Sequence, residues 1–170
     1  MRPIALLLCA FAILAADTGN RRKTDNKQSP PADTSMKVGG QDVTIEYNAP
    51  SARGRKVEGG LIPYGEVWRL GADSATTLTT NTNLKIGDLS VPKGVYTLYI
   101  AASEGGWKLV VNKQKGQWGT EYNEPQDLGR VPMKLTKLSA PAEALKITLH
   151  QGMLDIEWGS TKASVPVKQG

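Results

Sequence analysis

The sequence predicts an all-β protein, an antiparallel β-sandwich of about eight to ten strands. Three observations predict it: apolar residues recur at every second position in many short segments, Gly, Pro and Asn turns separate these segments, and no window shows a sustained helical period with a cap. Short strands without intervening helices pack as a sandwich or a barrel. The number of segments favours the sandwich, and a jelly-roll is one form of it.

Six segments up to residue 135 have the pattern of strands. In 43–47 and 131–135 the apolar side chains fall on alternate residues, so one face of each strand would be buried. Residues 95–101 are apolar at nearly every position, which is typical of a strand covered on both faces. The other segments with strand character are 84–86, 89–91 and 107–111.

The C-terminal part predicts a β-hairpin followed by one more strand. Apolar residues alternate in 145–149 and again in 154–158, and a Gln-Gly pair lies between the two runs. A short connection that contains Gly is typical of a hairpin turn. The alternation resumes in 163–167, where Pro166 cannot donate a hydrogen bond to a neighbouring strand. We therefore expect this last strand at an edge of the sheet.

The first 16 residues have the features of a signal peptide. Arg2 gives a positive start, residues 4–14 are almost wholly apolar, and Ala15-Ala16 offers small residues for cleavage. A membrane-spanning helix needs ~20 apolar residues, so we expect export and no stable membrane span after cleavage. A lipid anchor at Cys9 is disfavoured, because a leucine precedes it. The mature protein is expected to be periplasmic or secreted.

The remainder of the chain divides into a linker and one domain. Residues 17–35 are polar, contain a Ser-Pro-Pro run and carry few apolar side chains. Such a segment buries too little surface to offset the entropy of ordering, so we predict a flexible linker. Residues 36–170 are predicted to form the single β-sandwich domain.

The composition excludes several kinds of site. The only cysteine lies within the predicted signal peptide, so the mature chain has no disulfide, thiol nucleophile or thiolate metal site. The only histidine, His150, falls on the polar face of its strand, which argues against a Ser-His-Asp triad. We expect no metal and no cofactor. The net charge is +5, but no nucleic-acid-binding motif is present, and no nucleic-acid partner is expected.

An Arg- and Gly-rich stretch, residues 47–73, differs from the pattern around it. Its motifs are Pro50, Arg53-Gly54-Arg55, Gly59-Gly60, Leu61-Ile62-Pro63-Tyr64-Gly65 and Trp68-Arg69-Leu70-Gly71-Ala72. With these motifs, a later Gly-Val-Tyr strand and a Trp-to-Asn strand at 107–112, the sequence over 36–168 resembles the DUF2911 family of exported bacterial domains of unknown function. That family has Asn after Gly-Ala, where this chain has Asp73. The resemblance implies export and no established activity.

The same stretch supplies most of the candidate ligand-binding residues. Arginines are permanent cations with forked donors, and Tyr and Trp rings offer stacking faces, so together they suit an anionic or sugar-like ligand. The alternative is structural: the arginines pair with Glu or Asp side chains, of which Glu66 and Asp73 are close in sequence to Arg69, and tie a long loop onto the sandwich. The candidates are Arg53, Arg55, Tyr64, Glu66, Trp68, Arg69, Asp73 and, from a later loop, Trp118.

Three functions are compatible with the sequence. We favour a non-catalytic module of the cell envelope that binds a small molecule, a glycan or an envelope protein. The second is a hydrolase that acts on glycans or esters through two carboxylates from distant strands. The third is a structural envelope protein, which would have no pocket and an apolar patch of partner size. The carboxylates considered for the second are Glu46, Glu66, Asp73 and Asp127.

Overall fold

The computed structural model describes residues 28–170 as ten β-strands, with no α-helix in that range and one 3-10 turn at Glu124–Gln126. The predicted signal peptide (1–16) and most of the predicted linker (17–35) lie outside the described residues. No helix in the described range is long and apolar enough to cross a membrane. The strands are β1 (Pro31–Val38), β2 (Gln41–Asn48), β3 (Val67–Trp68), β4 (Thr77–Thr80), β5 (Leu84–Ile86), β6 (Leu89–Val91), β7 (Gly94–Ser103), β8 (Gly106–Asn112), β9 (Asp127–His150) and β10 (Met153–Gln169).

All ten strands join in one antiparallel sheet. Its order is β1-β2-β4-β7-β8-β9-β10-β5-β6, and β3 pairs with β7 in line with β4. The β5–β6 hairpin follows β4 in the chain but lies at the far end of the sheet, next to β10. Two-residue turns with positive φ angles, Gly39-Gly40 and Gln151-Gly152, connect β1 to β2 and β9 to β10, which matches the twist of a hairpin.

The sheet folds over so that its two ends enclose one hydrophobic core. Ile45 of β2 and Ile86 of β5 come from opposite ends of the strand order, and both belong to the same buried cluster. The long strands β9 and β10 connect the two layers, because β9 pairs with β8 at its start and with β10 over the rest of its length. The predicted all-β antiparallel sandwich of eight to ten strands is confirmed, and its layers are parts of one continuous sheet.

Every segment with a predicted strand pattern lies within a strand. The hairpin predicted at the Gln-Gly pair is confirmed as the β9–β10 turn. Two pairs of segments merge: 131–135 and 145–149 are both parts of β9, and 154–158 and 163–167 are both parts of β10. The short strands β3 and β4 carry no apolar repeat and were not predicted.

The expected edge position of the last strand is wrong. β10 pairs with β9 as far as Ser164 and with β5 from Val167 onward. Pro166 falls in the gap between these two ladders, so its missing N–H interrupts neither of them. Its carbonyl oxygen accepts a hydrogen bond from the N–H of Gly87. The edges of the sheet are β1 and β6.

β1 begins inside the segment that the sequence predicted as linker. Residues 31–35 pair with β2, with Pro31 opposite Asn48 and Ser35 opposite Thr44. The folded domain therefore begins at least five residues before the predicted boundary at 36. The side chains of this strand alternate between exposed and half-buried until Val38, so the strand carries no apolar repeat that would reveal it in the sequence.

Two side-chain hydroxyls complete the hydrogen bonding of β9 on the side that faces β1 and β2. The N–H of Ile147 donates to the hydroxyl oxygen of Tyr47 at 3.0 Å, and the N–H of Leu149 donates to Oγ1 of Thr34 at 2.9 Å. A buried N–H group without an acceptor destabilises the folded state, so the two hydroxyl acceptors stabilise it. Because they come from β1 and β2, they also link these strands to β9, with which they form no ladder.

We expect the Tyr47→Phe variant to lose about 1–3 kcal/mol of unfolding free energy, because the buried N–H of Ile147 would have no acceptor. Urea unfolding measures the loss, and amide hydrogen exchange at Ile147 should become faster. Tyr64→Phe is the matched control, since Tyr64 is exposed and should change stability by less than about 0.5 kcal/mol. Equal stability of the two variants would contradict this role of the Tyr47 hydroxyl.

Candidate functional site

The candidate site is a cleft beside the connection from β3 to β4. Both strands pair with β7, β3 opposite residues 100–101 and β4 opposite residues 94–97. The 69–76 loop between them therefore leaves the sheet and returns to the same strand. A cleft of about 450 Å³ opens next to this loop. Its lining includes Arg55, Leu61, Trp68, Arg69, Asp73 and Trp158.

A pair of stacked tryptophans forms the apolar wall of the cleft. The ring centroids of Trp68 and Trp158 are 5.5 Å apart, and their planes meet at 23°. The indole N–H of Trp158 donates to the carbonyl oxygen of Glu143 at 3.0 Å. Both rings are buried, so packing on β3 and β10 fixes their position. A wall of this kind suits the apolar face of a ligand.

Arg69 and Asp73 bring opposite charges to the cleft but do not pair with each other. Within residues 28–170, the half-buried Arg69 has no carboxylate within 4 Å and donates no side-chain hydrogen bond. The Asp73 carboxylate likewise forms no ion pair and accepts no hydrogen bond in that range. The alternative that Arg69 is tied to Glu66 or Asp73 is therefore wrong for this arginine.

Buried polar contacts hold the 69–76 loop in place. Nδ2 of Asn48 and the hydroxyl of Thr76 each donate to a carbonyl oxygen of the loop. Gly71 packs tightly between them, since a Cβ atom there would lie 3.0 Å from Oγ1 of Thr76 and 3.1 Å from the carbonyl oxygen of Asn48. Asp73 has a φ of 58°, a left-handed conformation that Asp and Asn tolerate better than other side chains.

The other two arginines of the segment bind the protein itself. Arg55 donates to two carbonyl oxygens of its own loop, at 2.9 Å each. The backbone N–H of Arg53 donates to the carboxylate of Glu143 at 2.7 Å, and its guanidinium donates to the carbonyl oxygen of Gln28 at 3.2 Å. Both arginines therefore fasten the loop to the domain, as the structural alternative expected. The contacts are hydrogen bonds to carbonyl oxygens and from a backbone N–H, and not ion pairs of the guanidinium groups. Arg55 also lines the cleft, whereas Arg53 does not.

Half of the predicted site residues reach the cleft: Arg55, Trp68, Arg69 and Asp73. Of the remainder, Tyr64 is exposed and lies against Gly59, and Glu66 lines a different cleft beside Arg130. Trp118 is half exposed and does not line the cleft, and its backbone pairs with the 69–76 loop at Ser74.

Trp158 and Leu61 line the cleft but were not among the predicted site residues. The sequence predicted Trp158 as a core residue, and it is buried. No single-sequence pattern shows that a buried ring on β10 stacks on Trp68 of β3, because these strands are not neighbours in the sheet. The apolar alternation of 154–158 indicates which face is buried and not what it touches.

The carboxylates considered for hydrolysis do not pair with one another. Asp127 lies in a closed network, where it accepts hydrogen bonds from the Tyr122 hydroxyl at 2.6 Å and from Nε of Arg130 at 3.2 Å. Burial and the hydrogen bond to Asp127 raise the pKa of Tyr122 to about 12. Glu46 lies opposite Asp33 in the β1–β2 ladder, and both line a second cleft of about 440 Å³.

His150 belongs to a cluster around the buried carboxylate of Asp155. Nε2 of His150 and Nζ of Lys162 lie 2.6 and 2.7 Å from Oδ2, and the Ser164 hydroxyl donates to Oδ1 at 2.6 Å. Burial acts to raise the pKa of Asp155, but the three hydrogen bonds outweigh it, and the pKa is lowered. Ser164 binds the carboxylate and not the imidazole, so these groups are not arranged as a triad. His150 is exposed, as predicted.

The cleft beside the 69–76 loop, called the main cleft below, is lined by the tryptophan pair, two arginines and one aspartate. Among residues 28–170, Asp73 is the only carboxylate that lines it, so the described lining offers no second carboxylate for a two-carboxylate mechanism. Within residues 28–170, no three His, Asp or Glu side chains are close enough to hold a metal ion. Ser90 and Lys93 have the Ser-x-x-Lys spacing of a catalytic pair that needs one helical turn, but Ser90 lies in strand β6, so these two residues do not form such a pair.

Comparison with known proteins gives one match. Residues 29–167 match a family model described as "Protein of unknown function (DUF2911)". No curated protein and no solved structure matches the chain.

Proposed function

Since this chain belongs to the DUF2911 family, whose function is unknown, we propose a function from the cleft itself. The domain is a non-catalytic binding module, and it holds a small ligand between the Trp68–Trp158 pair and the Arg69 side chain. Its proposed setting is the cell envelope, in the periplasm or outside the cell. The signal-peptide features of residues 1–16 support that setting.

One observation carries the proposal: Arg69 is half-buried beside an aromatic wall and binds no acceptor among residues 28–170. A guanidinium that loses water without gaining a partner is costly, and a ligand with an acceptor group would remove that cost. The cleft volume of about 450 Å³ lies within the range of roughly 300–1,000 Å³ of small-molecule sites. The fixed loop and the packed rings keep the site in shape before a ligand arrives.

A ligand screen tests this proposal. The protein is mixed with sugars, organic acids and cell-wall fragments, and its melting temperature and tryptophan fluorescence are followed. We expect at least one compound to raise the melting temperature and to alter the emission of the Trp68–Trp158 pair. The Arg69→Gln variant should lose that response, whereas Lys134→Gln, an exposed residue on β9, should keep it. No response to any compound, or an unchanged response in Arg69→Gln, would reject the proposal.

A second candidate function, glycan or ester hydrolysis, rests on the second cleft. Asp33 and Glu46 are directly opposite each other on β1 and β2 and line the same cleft, so two carboxylates are neighbours there, as a two-carboxylate mechanism requires. Chromogenic glycosides and esters test this candidate. Turnover that disappears in both Asp33→Asn and Glu46→Gln would support it, and no turnover by the unmodified protein would reject it.

The third hypothesis, a structural envelope protein, receives no support from the described surface. That hypothesis requires an apolar patch of partner size. The exposed large apolar side chains among residues 28–170 are Tyr64, Trp118 and Leu135, and they lie on three separate segments.

A further inference from the structure

We infer that the main cleft recognises a zwitterion, a small molecule with both a carboxylate and a protonated amine, of the class of free amino acids and short peptides. This inference rests on the proposed function and specifies its ligand. In it, Arg69 binds the ligand carboxylate, Asp73 binds the ligand ammonium group, and the Trp68–Trp158 wall contacts the apolar part.

The first support is the separation of charge inside the cleft. Arg69 and Asp73 line the same cleft, yet their charged groups are more than 4 Å apart, and neither binds another side chain within residues 28–170. A ligand of a single charge would satisfy one of them and leave the other uncompensated. A ligand that carries both charges would satisfy both at once, with a forked contact at the guanidinium.

The second support is the contrast with Arg55, which also lines the cleft. Its guanidinium already donates to two backbone carbonyl oxygens, so its donors at Nε and Nη2 are engaged. Arg55 keeps its charge, but its guanidinium is committed to its own loop. Arg69 and Asp73 are therefore the charged groups of the described lining that have no partner, and a zwitterion offers a partner to each.

The third support is the fixed loop that carries both charged side chains. Asp73 is held in a left-handed conformation, and its carbonyl oxygen accepts a hydrogen bond from the N–H of Gly119 at 2.9 Å. The stem of Arg69 packs on the same glycine, since a Cβ atom at 119 would lie 2.9 Å from Cδ of Arg69. Both charged side chains therefore branch from one fixed loop and line the same cleft, so a single small ligand can contact both.

The apolar wall supplies the remaining specificity. Leu61 and the two tryptophans line the cleft, so a ligand with an aromatic or aliphatic side chain would bury apolar surface there. We expect phenylalanine, and a dipeptide such as alanyl-phenylalanine, to bind more tightly than glycine.

Calorimetric titration with blocked ligands tests the inference. The probes are L-phenylalanine, L-phenylalaninamide, which lacks the carboxylate, and N-acetyl-L-phenylalanine, which lacks the charged amine. We expect each blocked compound to bind about tenfold or more weakly than the free amino acid, because it leaves one cleft charge without a partner.

Two variants assign the charges to their residues. In Arg69→Gln the amide should bind as well as the free amino acid, and in Asp73→Asn the N-acetyl compound should do so. Asn tolerates the left-handed backbone at 73, so this variant should fold normally, and an unchanged melting temperature without ligand confirms that it does.

The outcomes separate this inference from the proposed function. Equal binding of free and blocked compounds, or no binding of either zwitterion, overturns the inference. If glucuronate or another acidic sugar binds in an Arg69-dependent way while the zwitterions do not, the inference fails and the proposed binding function stands. If no compound of the wider screen binds either, both fail.

Discussion

The Trp158→Ala variant is expected to lose about 3–5 kcal/mol of unfolding free energy. Trp158 is 2 % exposed, and it stacks on Trp68 at a centroid distance of 5.5 Å. Removing it leaves a cavity in the core and removes the donor to the carbonyl oxygen of Glu143. Denaturant unfolding with linear extrapolation measures the loss.

Trp118→Ala is the matched control for this prediction. It removes the same side chain from a position that is 50 % exposed, so we expect a change within about 0.5 kcal/mol. Similar losses in the two variants would show that Trp158 does not form part of the core. Since Trp158 also lines the cleft, any folded variant at this position should bind the ligand of the cleft more weakly.

Asp155→Asn is expected to cost about 1.5–3 kcal/mol at neutral pH, because the charged acceptor of three hydrogen bonds becomes a neutral amide. Lys162 would then have only the more distant Glu157, at 3.7 Å, as a carboxylate partner. The exposed pair of Lys37 and Asp42 provides the control. Asp42→Asn should cost no more than about 0.5 kcal/mol, since an exposed ion pair is screened by water.

The pH dependence of this loss gives a second, independent measurement. The pKa of Asp155 is lower in the folded state than its ordinary value of 3.8, so its contribution to stability is present above that ordinary value. That contribution disappears as the pH falls through the folded pKa. The difference in unfolding free energy between the original protein and Asp155→Asn should therefore be largest at pH 7 and should decrease toward zero as the pH approaches 2. A difference that stays constant over this range would exclude ionisation of Asp155 as its source.

The strands that the sequence predicts are those with an apolar face or an apolar run. The runs 43–47 and 145–149 bury alternate residues against the core, whereas 95–101 and 107–111 are buried at most positions, and both patterns are visible in the sequence. β1 escaped prediction because its side chains are exposed or half-buried until Val38. Residues 134–144 of β9 are mostly exposed, so one long strand looked like two.

The position of the last strand could not be predicted, because a proline, which has no N–H, is compatible with two different places in a sheet. It can lie on an edge strand, or in a gap where a strand stops pairing with one neighbour before it begins to pair with the next. Pro166 lies in such a gap, between the last residue paired with β9 and the first paired with β5. Only the strand order distinguishes the two cases.

The sequence predicted those residues of the candidate site that lie close together along the chain. Trp68, Arg69 and Asp73 belong to one short stretch, and a single loop carries them to one cleft. Tyr64 and Glu66 are equally close in sequence, but they precede β3, on either side of the positive-φ turn at Gly65, and neither lines the cleft. Trp158 reaches the cleft through the packing of β10 on β3, which depends on the whole fold.

The contacts of Tyr47 with Ile147 and of Thr34 with Leu149 join residues 100 and 115 positions apart. The first hairpin of the chain can therefore reach its final place only after the last third has been synthesised and has paired with itself. Contacts of such long sequence range make folding slow, because the chain must close large loops before it gains their stabilisation. In a chain that is synthesised from its N-terminus, the hydroxyls of Thr34 and Tyr47 on this hairpin would lack their β9 partners until β9 and β10 have been synthesised.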